Sequence, residues 1–156
     1  MIEIKEVKFN EEKAKICNII LRALPDWFGI ESSIVDYVKD VKELPLVAAF
    51  HKDLPVGFLA IKQHNEYTSE IHVMGILPEY QRQKLGEKLL EAIIPLCSEY
   101  LTVKTLAASR ENEHYARTRQ FYVAMGFKPL EVFPELWGKD NPCLMMIKDL
   151  KIKKIG

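Results

Sequence analysis

The 156-residue chain lacks a net charge, because 22 lysines and arginines balance 22 aspartates and glutamates. This balance gives no electrostatic reason to expect a nucleic-acid partner. No apolar run approaches the length that crosses a bilayer, so we expect no membrane association. The N-terminal segment, residues 1–13, carries acidic residues early and lacks the long apolar stretch of a secretory signal. We therefore expect a cytoplasmic protein.

Cysteine is also scarce. The three cysteines, Cys17, Cys97 and Cys143, are widely spaced and do not follow a metal-ligand pattern. We expect reduced, buried thiols and no bound metal. Repeats and low-complexity segments are absent as well, which predicts one domain over residues 1–150 and a frayed tail over residues 151–156.

Hydrophobic periodicity predicts eleven elements in the order β α α β β β α β α β β. The central β–α–β–α–β run predicts an α/β (or α+β) fold in which a mixed sheet carries helices on both faces. Pro95 lies inside the third predicted helix and should bend it or end it early. The predicted strands are 2–8, 46–52, 56–64, 69–77, 102–109, 127–133 and 142–150, and the predicted helices are 11–24, 32–43, 84–98 and 115–125.

Residues 69–94 form the most informative segment, SEIHVMGILPEYQRQKLGEKLLEAII. An apolar strand leads through a Pro-containing turn and a polar stretch into an amphipathic helix. The first turn of such a helix exposes N–H groups without intrahelical partners, and the helix dipole adds positive potential there. The segment is therefore a candidate anion site, for which phosphate is the natural ligand.

Two motifs resemble those of one family. ILPEYQRQKLGEKLL (76–90) is similar to the pattern V-x-P-x-[YF]-[QR]-x-x-G-x-[GA]-x-x-L-[LM], and RQFYVAMGF (119–127) resembles the later F-Y-x-x-x-G-F element. Both patterns are those of the GNAT N-acetyltransferases, which move an acetyl group from acetyl-CoA to an amine, and the chain resembles this family. The resemblance covers nearly the whole chain in element order. It implies a single-domain GNAT-like fold whose sheet splays between strands 4 and 5.

The resemblance also implies the cofactor site. Pantetheine would pair with main-chain groups on the strand 70–76, and the pyrophosphate would accept hydrogen bonds from the N–H groups of Gln81 to Gly86. Lys84 departs from the pattern, because it replaces the first glycine of the phosphate loop. We favour a helical conformation with negative φ at this position, which tolerates a side chain. The implied cofactor residues are Met74, Gly75, Ile76, Gln81, Arg82, Gln83, Lys84, Leu85, Gly86, Glu87 and Tyr115.

Gly75 and Tyr115 have alternative interpretations. Gly75 indicates either a bulge or close backbone approach in the strand, or a glycine required by packing. Tyr115 occupies the position where many relatives carry an Asn that contacts the cofactor.

Amine acetylation requires a neutral nucleophile, whereas an alkyl ammonium has a pKa near ~10.4. A base is therefore needed. Glu70 lies eleven residues before Gln81, where several enzymes of the resembling family carry a glutamate base, and His72 shares its strand face. Glu70 is otherwise a surface carboxylate at a strand end, and His72 a half-buried, hydrogen-bonded histidine. The resemblance implies that Tyr122 protonates the departing sulfur, although a core aromatic is the alternative.

The acceptor side carries no motif. In the resembling fold the loop between the first two helices and the late hairpin form the acceptor pocket, which here supplies Trp27, Phe28 and Trp137. Aromatic rings beside carboxylates suit a cationic amine, but the tryptophans could instead cover a subunit interface. The sequence therefore predicts an acetyl-CoA-dependent N-acetyltransferase of a small-molecule or peptide amine. It leaves open a non-catalytic CoA-binding module and a homodimer.

Overall fold

A computed structural model of the protein describes residues 1–151. The predicted tail, residues 151–156, lies outside the described residues apart from its first member. The described part contains seven strands and four α-helices in the predicted order. The strands are β1 (Ile2–Val7), β2 (Leu46–His51), β3 (Leu54–Gln63), β4 (Thr68–Ile76), β5 (Tyr100–Leu106), β6 (Lys128–Phe133) and β7 (Cys143–Asp149), and the helices are α1 (Asn10–Arg22), α2 (Glu31–Asp40), α3 (Leu85–Ile93) and α4 (Glu113–Ala124).

The strands form a mixed sheet in the order β1-β2-β3-β4-β5-β7-β6. β2 pairs antiparallel with β1 and β3, and β7 pairs antiparallel with β5 and β6. This confirms the predicted fold class. None of the helices within residues 1–151 is long and apolar enough to span a bilayer.

Contacts cluster into two compact units, of which the first comprises residues 1–62 and 71–96. Its core is built by alternation along the strands. Phe58 and Ala60 of β3 join the buried cluster formed by α1 and α2. Gly57 faces the opposite side of the sheet, because a Cβ built at this position would lie 3.4 Å from a side-chain atom of Leu89 on α3. Helices therefore cover both faces of these strands, as the sequence predicted.

A two-residue turn and a proline determine where elements of the first unit begin and end. β2 and β3 are joined by Lys52 and Asp53, whose φ angles of 53° and 66° are left-handed. A pair of left-handed residues matches the twist of the strands that a two-residue hairpin joins. Pro95 ends α3 early, as predicted, because the α-helix stops at Ile93 and continues only as a 3-10 turn over Ile94–Leu96.

The second unit comprises residues 63–70 and the described chain from residue 97. α4 begins two residues before its predicted start, because the side chain of Asn112 accepts hydrogen bonds from the N–H groups of His114 and Tyr115 at 3.0 and 3.2 Å. Gly126, with a φ of 95°, follows the end of the helix. Tyr122 projects from α4 into the interior of this unit.

Candidate functional site

The loop between β4 and α3 is fixed at two points within the first unit. Pro78–Tyr80 form a 3-10 turn, and the hydroxyl of Tyr80 lies 2.7 Å from Nδ1 of His51 on β2. The side-chain amide of Gln81 donates to the carbonyl of Ile76 at 3.1 Å. These contacts hold the backbone that leads into the first turn of α3.

The free amides of this loop differ in part from those predicted. The N–H of Gln81 donates to the carbonyl of Pro78, and the N–H of Gln83 donates to that of Tyr80, each at 3.3 Å. Both groups were expected to face a pyrophosphate, and the tight turns of the loop engage them instead. Within residues 1–151, main-chain acceptors are absent for the remaining loop and first-turn amides, those of Arg82, Lys84, Leu85, Gly86 and Glu87.

Lys84 contradicts the conformation favoured from the sequence. It precedes α3 with φ 59° and ψ 24°, in the left-handed region, instead of a helical conformation with negative φ. This region suits glycine and costs an ordinary side chain about 1–2 kcal/mol. The conformation explains the glycine of the family pattern. Lys84 adopts the same left-handed turn, and its backbone is therefore strained.

Gly75 is explained by packing. A Cβ at this position would lie 3.0 Å from a side-chain atom of Ile20 and 3.1 Å from one of Leu24, both on the α1 side. Its missing side chain therefore lets the helix approach the strand. The main-chain groups of Met74, Gly75 and Ile76 are still candidates for pairing with a ligand.

Glu70 is not the surface carboxylate of the alternative interpretation. Its side chain is 11% exposed. Oε1 lies 2.6 Å from Nε2 of His64, and Nζ of Lys104 lies 3.2 and 3.0 Å from the two carboxylate oxygens. Both oxygens are thus occupied by basic groups of the same unit. This arrangement neutralises a buried carboxylate and leaves it poorly placed to accept a proton from a substrate.

His72 has separate partners, in the first unit. Its Nε2 lies 3.0 Å from Oδ2 of Asp40 at the end of α2. The ring of Tyr37 meets the imidazole edge-on, with centroids 5.5 Å apart. A quarter of the His72 side chain is exposed, so the imidazole is oriented by its partners and still partly open to solvent.

Tyr122 lies in an aromatic environment in the second unit. Its ring makes edge contacts with Phe121 and Phe127, each with centroids 5.3 Å apart. Burial raises the pKa of the Tyr122 phenol well above its usual value, and nearby Tyr115 raises it further. The hydroxyl therefore stays protonated at neutral pH. Tyr115 is half-buried on the same helix.

The aromatic residues predicted to contact the acceptor differ in exposure. Trp27 and Phe28 are partly buried and pack against the core of the first unit. Phe28 also makes an edge contact with Tyr37, with centroids 5.9 Å apart. Trp137 belongs to the second unit, where it is exposed. Among residues 1–151, no group of three or more His, Cys, Asp or Glu side chains could hold a metal ion.

Four residues around these sites escaped the sequence analysis: Tyr37, Asp40, His64 and Lys104. Lys104 lies 34 residues from Glu70, and Asp40 lies 32 residues from His72. Such pairings depend on tertiary structure and leave no local spacing pattern. His64 was the exception, since it is six residues from Glu70 across a hairpin and could have been suspected from strand register.

Comparison with known proteins identifies the family. Residues 43–129, more than half of the chain, match the family described as acetyltransferase (GNAT) domain. The chain therefore belongs to the GNAT acetyltransferases, which confirms the resemblance seen in its motifs. No curated protein sequence matches the chain.

Solved structures share the fold at low sequence identity. A protein from Desulfovibrio desulfuricans assigned to the GNAT family has a TM-score of 0.81 and 15% identity, with 96% of this chain and 99% of that chain covered. An aminoglycoside 6'-N-acetyltransferase complexed with coenzyme A has a TM-score of 0.75, 19% identity and coverage of 94% and 96%. A GNAT acetyltransferase from Elizabethkingia anophelis with acetyl-CoA bound has a TM-score of 0.73, 14% identity and coverage of 96% and 98%.

Proposed function

We propose that the protein transfers the acetyl group of acetyl-CoA to a primary amine of a small molecule or peptide. Membership of the GNAT family supports acetyl transfer, and similar folds have been crystallised with coenzyme A or acetyl-CoA. The observation that carries the proposal is a set of amides, those of Arg82 and of residues 84–87, that have no main-chain acceptor within residues 1–151. Acetyl-CoA would supply an activated thioester carbonyl to the bound amine.

The loop amides suit a diphosphate. Several N–H groups that converge at a helix N-terminus stabilise an anion through hydrogen bonds and the helix dipole. Arg82 and Lys84 are exposed and add positive charge beside these amides. The pantetheine arm would pair with main-chain groups of Met74 and Ile76. The carbonyl of Ile76 already accepts one hydrogen bond, from Gln81, and has a second lone pair for another donor.

We propose His72 rather than Glu70 as the base. At pH 7 only about one alkyl amine in a few thousand is neutral, so a proton must be removed before attack. Glu70 already accepts from Lys104 and His64 with both oxygens. His72 is accessible, and one of its ring nitrogens is bonded to a carboxylate. In the proposed reaction His72 takes the proton of the ammonium, directly or through water.

Tyr122 is the proposed proton donor to the sulfur. A phenol is protonated at neutral pH even at its ordinary pKa, so Tyr122 holds a proton that it can give to the sulfur as the C–S bond breaks. The proposed acceptor contacts are the aromatic residues Trp27, Phe28 and Trp137. Phe28 is the best supported of these, because it is linked through Tyr37 to the imidazole of His72.

Calorimetric titration with acetyl-CoA, followed by an acetyl-transfer screen, tests the proposal. The screen would cover polyamines, aminoglycosides, amino acids and peptide N-termini. Saturable binding together with turnover of at least one amine is expected. Binding without turnover would favour a CoA-binding module instead. Failure to bind near-millimolar acetyl-CoA would overturn both.

A further inference from the structure

A chain of contacts in the first unit joins α2 to the partly exposed imidazole of His72 on β4. Phe28 meets Tyr37 edge-on, Tyr37 meets His72 edge-on, and His72 is bonded to Asp40. Three elements thus supply one continuous row of side chains: the loop after α1, helix α2 and strand β4. Neither Asp40 nor Tyr37 belongs to the motifs that identify the family.

Asp40 occupies an unfavourable place for a carboxylate. It is the last residue of α2, where the helix dipole and the unpaired carbonyls favour positive charge. It also lies close enough to Cys17 to help burial raise the pKa of that thiol, to about 12. If Asp40 only made the surface polar, a neutral polar side chain would serve equally well. The bond to His72 gives a specific reason for a carboxylate here.

The bond between Asp40 and His72 determines which nitrogen of the imidazole carries hydrogen. An ionised carboxylate only accepts hydrogen bonds, so Nε2 of His72 must donate. In the neutral imidazole the lone pair then lies on Nδ1. A histidine whose N–H is held by a carboxylate is fixed in both tautomer and ring orientation, and its other nitrogen can accept a proton.

We propose that Asp40 is a positioning residue that holds His72 with Nδ1 ready to deprotonate the acceptor ammonium. This inference rests on the proposed acetyl transfer. The ammonium gives a proton to Nδ1, and the freed nitrogen lone pair forms the C–N bond while the C–S bond breaks. Tyr122 protonates the departing thiolate, and the second proton of the attacking nitrogen returns through solvent to the Tyr122 phenolate, which leaves the neutral amide. Asp40 stays ionised throughout and stabilises the imidazolium. His72 then releases the proton to solvent.

The first test is spectroscopic and does not depend on turnover. Nitrogen-15 NMR of the histidine side chains near pH 8 distinguishes the two neutral tautomers. We expect His72 to carry its hydrogen on Nε2 in the wild-type protein, and the resonance of this N–H to shift in Asp40→Ala, because the hydrogen bond to the carboxylate is lost. Asp36→Ala is the matched control, because Asp36 is an exposed carboxylate one turn earlier on α2. A neutral wild-type His72 with its hydrogen on Nδ1, or an Nε2 resonance that is unchanged in Asp40→Ala, would overturn the proposal.

The second test is kinetic. We expect Asp40→Ala and the nearly isosteric Asp40→Asn to lower kcat at least tenfold while the Kd for acetyl-CoA stays within twofold, with Asp36→Ala unchanged. Asp40→Glu should restore part of the activity. Equal kcat in Asp40→Asn and the wild type would refute the positioning role. If no amine is acetylated by the wild type, the proposed function fails, whereas the NMR result still judges the Asp40–His72 pair.

Discussion

Substitution of Lys84 by glycine should stabilise the protein, although it removes a side chain. Lys84 has a left-handed backbone, with φ 59° and ψ 24°. The conformation costs a residue with a Cβ about 1–2 kcal/mol. Glycine removes this strain but makes the unfolded chain more flexible, at a cost of about 0.4–1 kcal/mol. The balance is a gain of about 0.5–1 kcal/mol in the free energy of unfolding.

Lys84→Ala provides the matched control, because it removes the same charge and keeps the Cβ. For a domain of this size the expected gain corresponds to a rise in Tm of about 1–4 °C for Lys84→Gly over Lys84→Ala. Differential scanning calorimetry of the protein without ligand measures it. A Lys84→Gly variant no more stable than Lys84→Ala would refute the strain assigned to this loop.

The same pair of variants separates strain from charge in cofactor binding. Both lose the exposed ammonium beside the phosphate loop, and an exposed charge contributes only modestly. We expect a roughly two- to fivefold weaker Kd for acetyl-CoA in Lys84→Ala at low salt, with most of the difference lost at high salt. Loss of binding in Lys84→Gly, with binding retained in Lys84→Ala, would contradict this account.

Three further predictions concern buried groups. Tyr122→Phe should lower kcat at least tenfold with the Kd for acetyl-CoA intact, and unchanged turnover would remove Tyr122 from the mechanism. Glu70→Gln should lower the free energy of unfolding by about 1–3 kcal/mol, since Lys104 loses its buried partner; a loss of activity without loss of stability would restore Glu70 as the base. The Cys17 thiol has its pKa raised by burial to about 12, so its contribution to stability is complete below pH 9 and is lost as the pH rises from 9 to 12. Denaturation measured from pH 9 to 12 should show that the free energy of unfolding falls less steeply with pH in Cys17→Ala than in the wild type. Identical slopes in the two proteins would contradict this prediction.

The elements and their order could be predicted because each carries a local signal. The apolar stripe of α3 and the helix-ending Pro95 act over a few residues, and so does the cap at Gly126. Short-range physical rules therefore predicted most of the fold.

The candidate site was only partly predictable, because its details depend on tertiary pairing. The motif predicted a candidate phosphate loop but not the left-handed backbone of Lys84, which depends on how the chain enters α3. Glu70 and His72 were selected as a pair because they are two residues apart on one strand. Their different environments could not be predicted, because Lys104 and Asp40 come from distant parts of the sequence.

The most direct test of the account is a crystal structure of the protein with acetyl-CoA. We expect the diphosphate oxygens to accept hydrogen bonds from the N–H groups of Arg82, Lys84, Leu85 and Gly86. The side chain of Lys84 should point toward the diphosphate. A bound cofactor whose diphosphate lies elsewhere, while these four amides are bonded only to water, would contradict it.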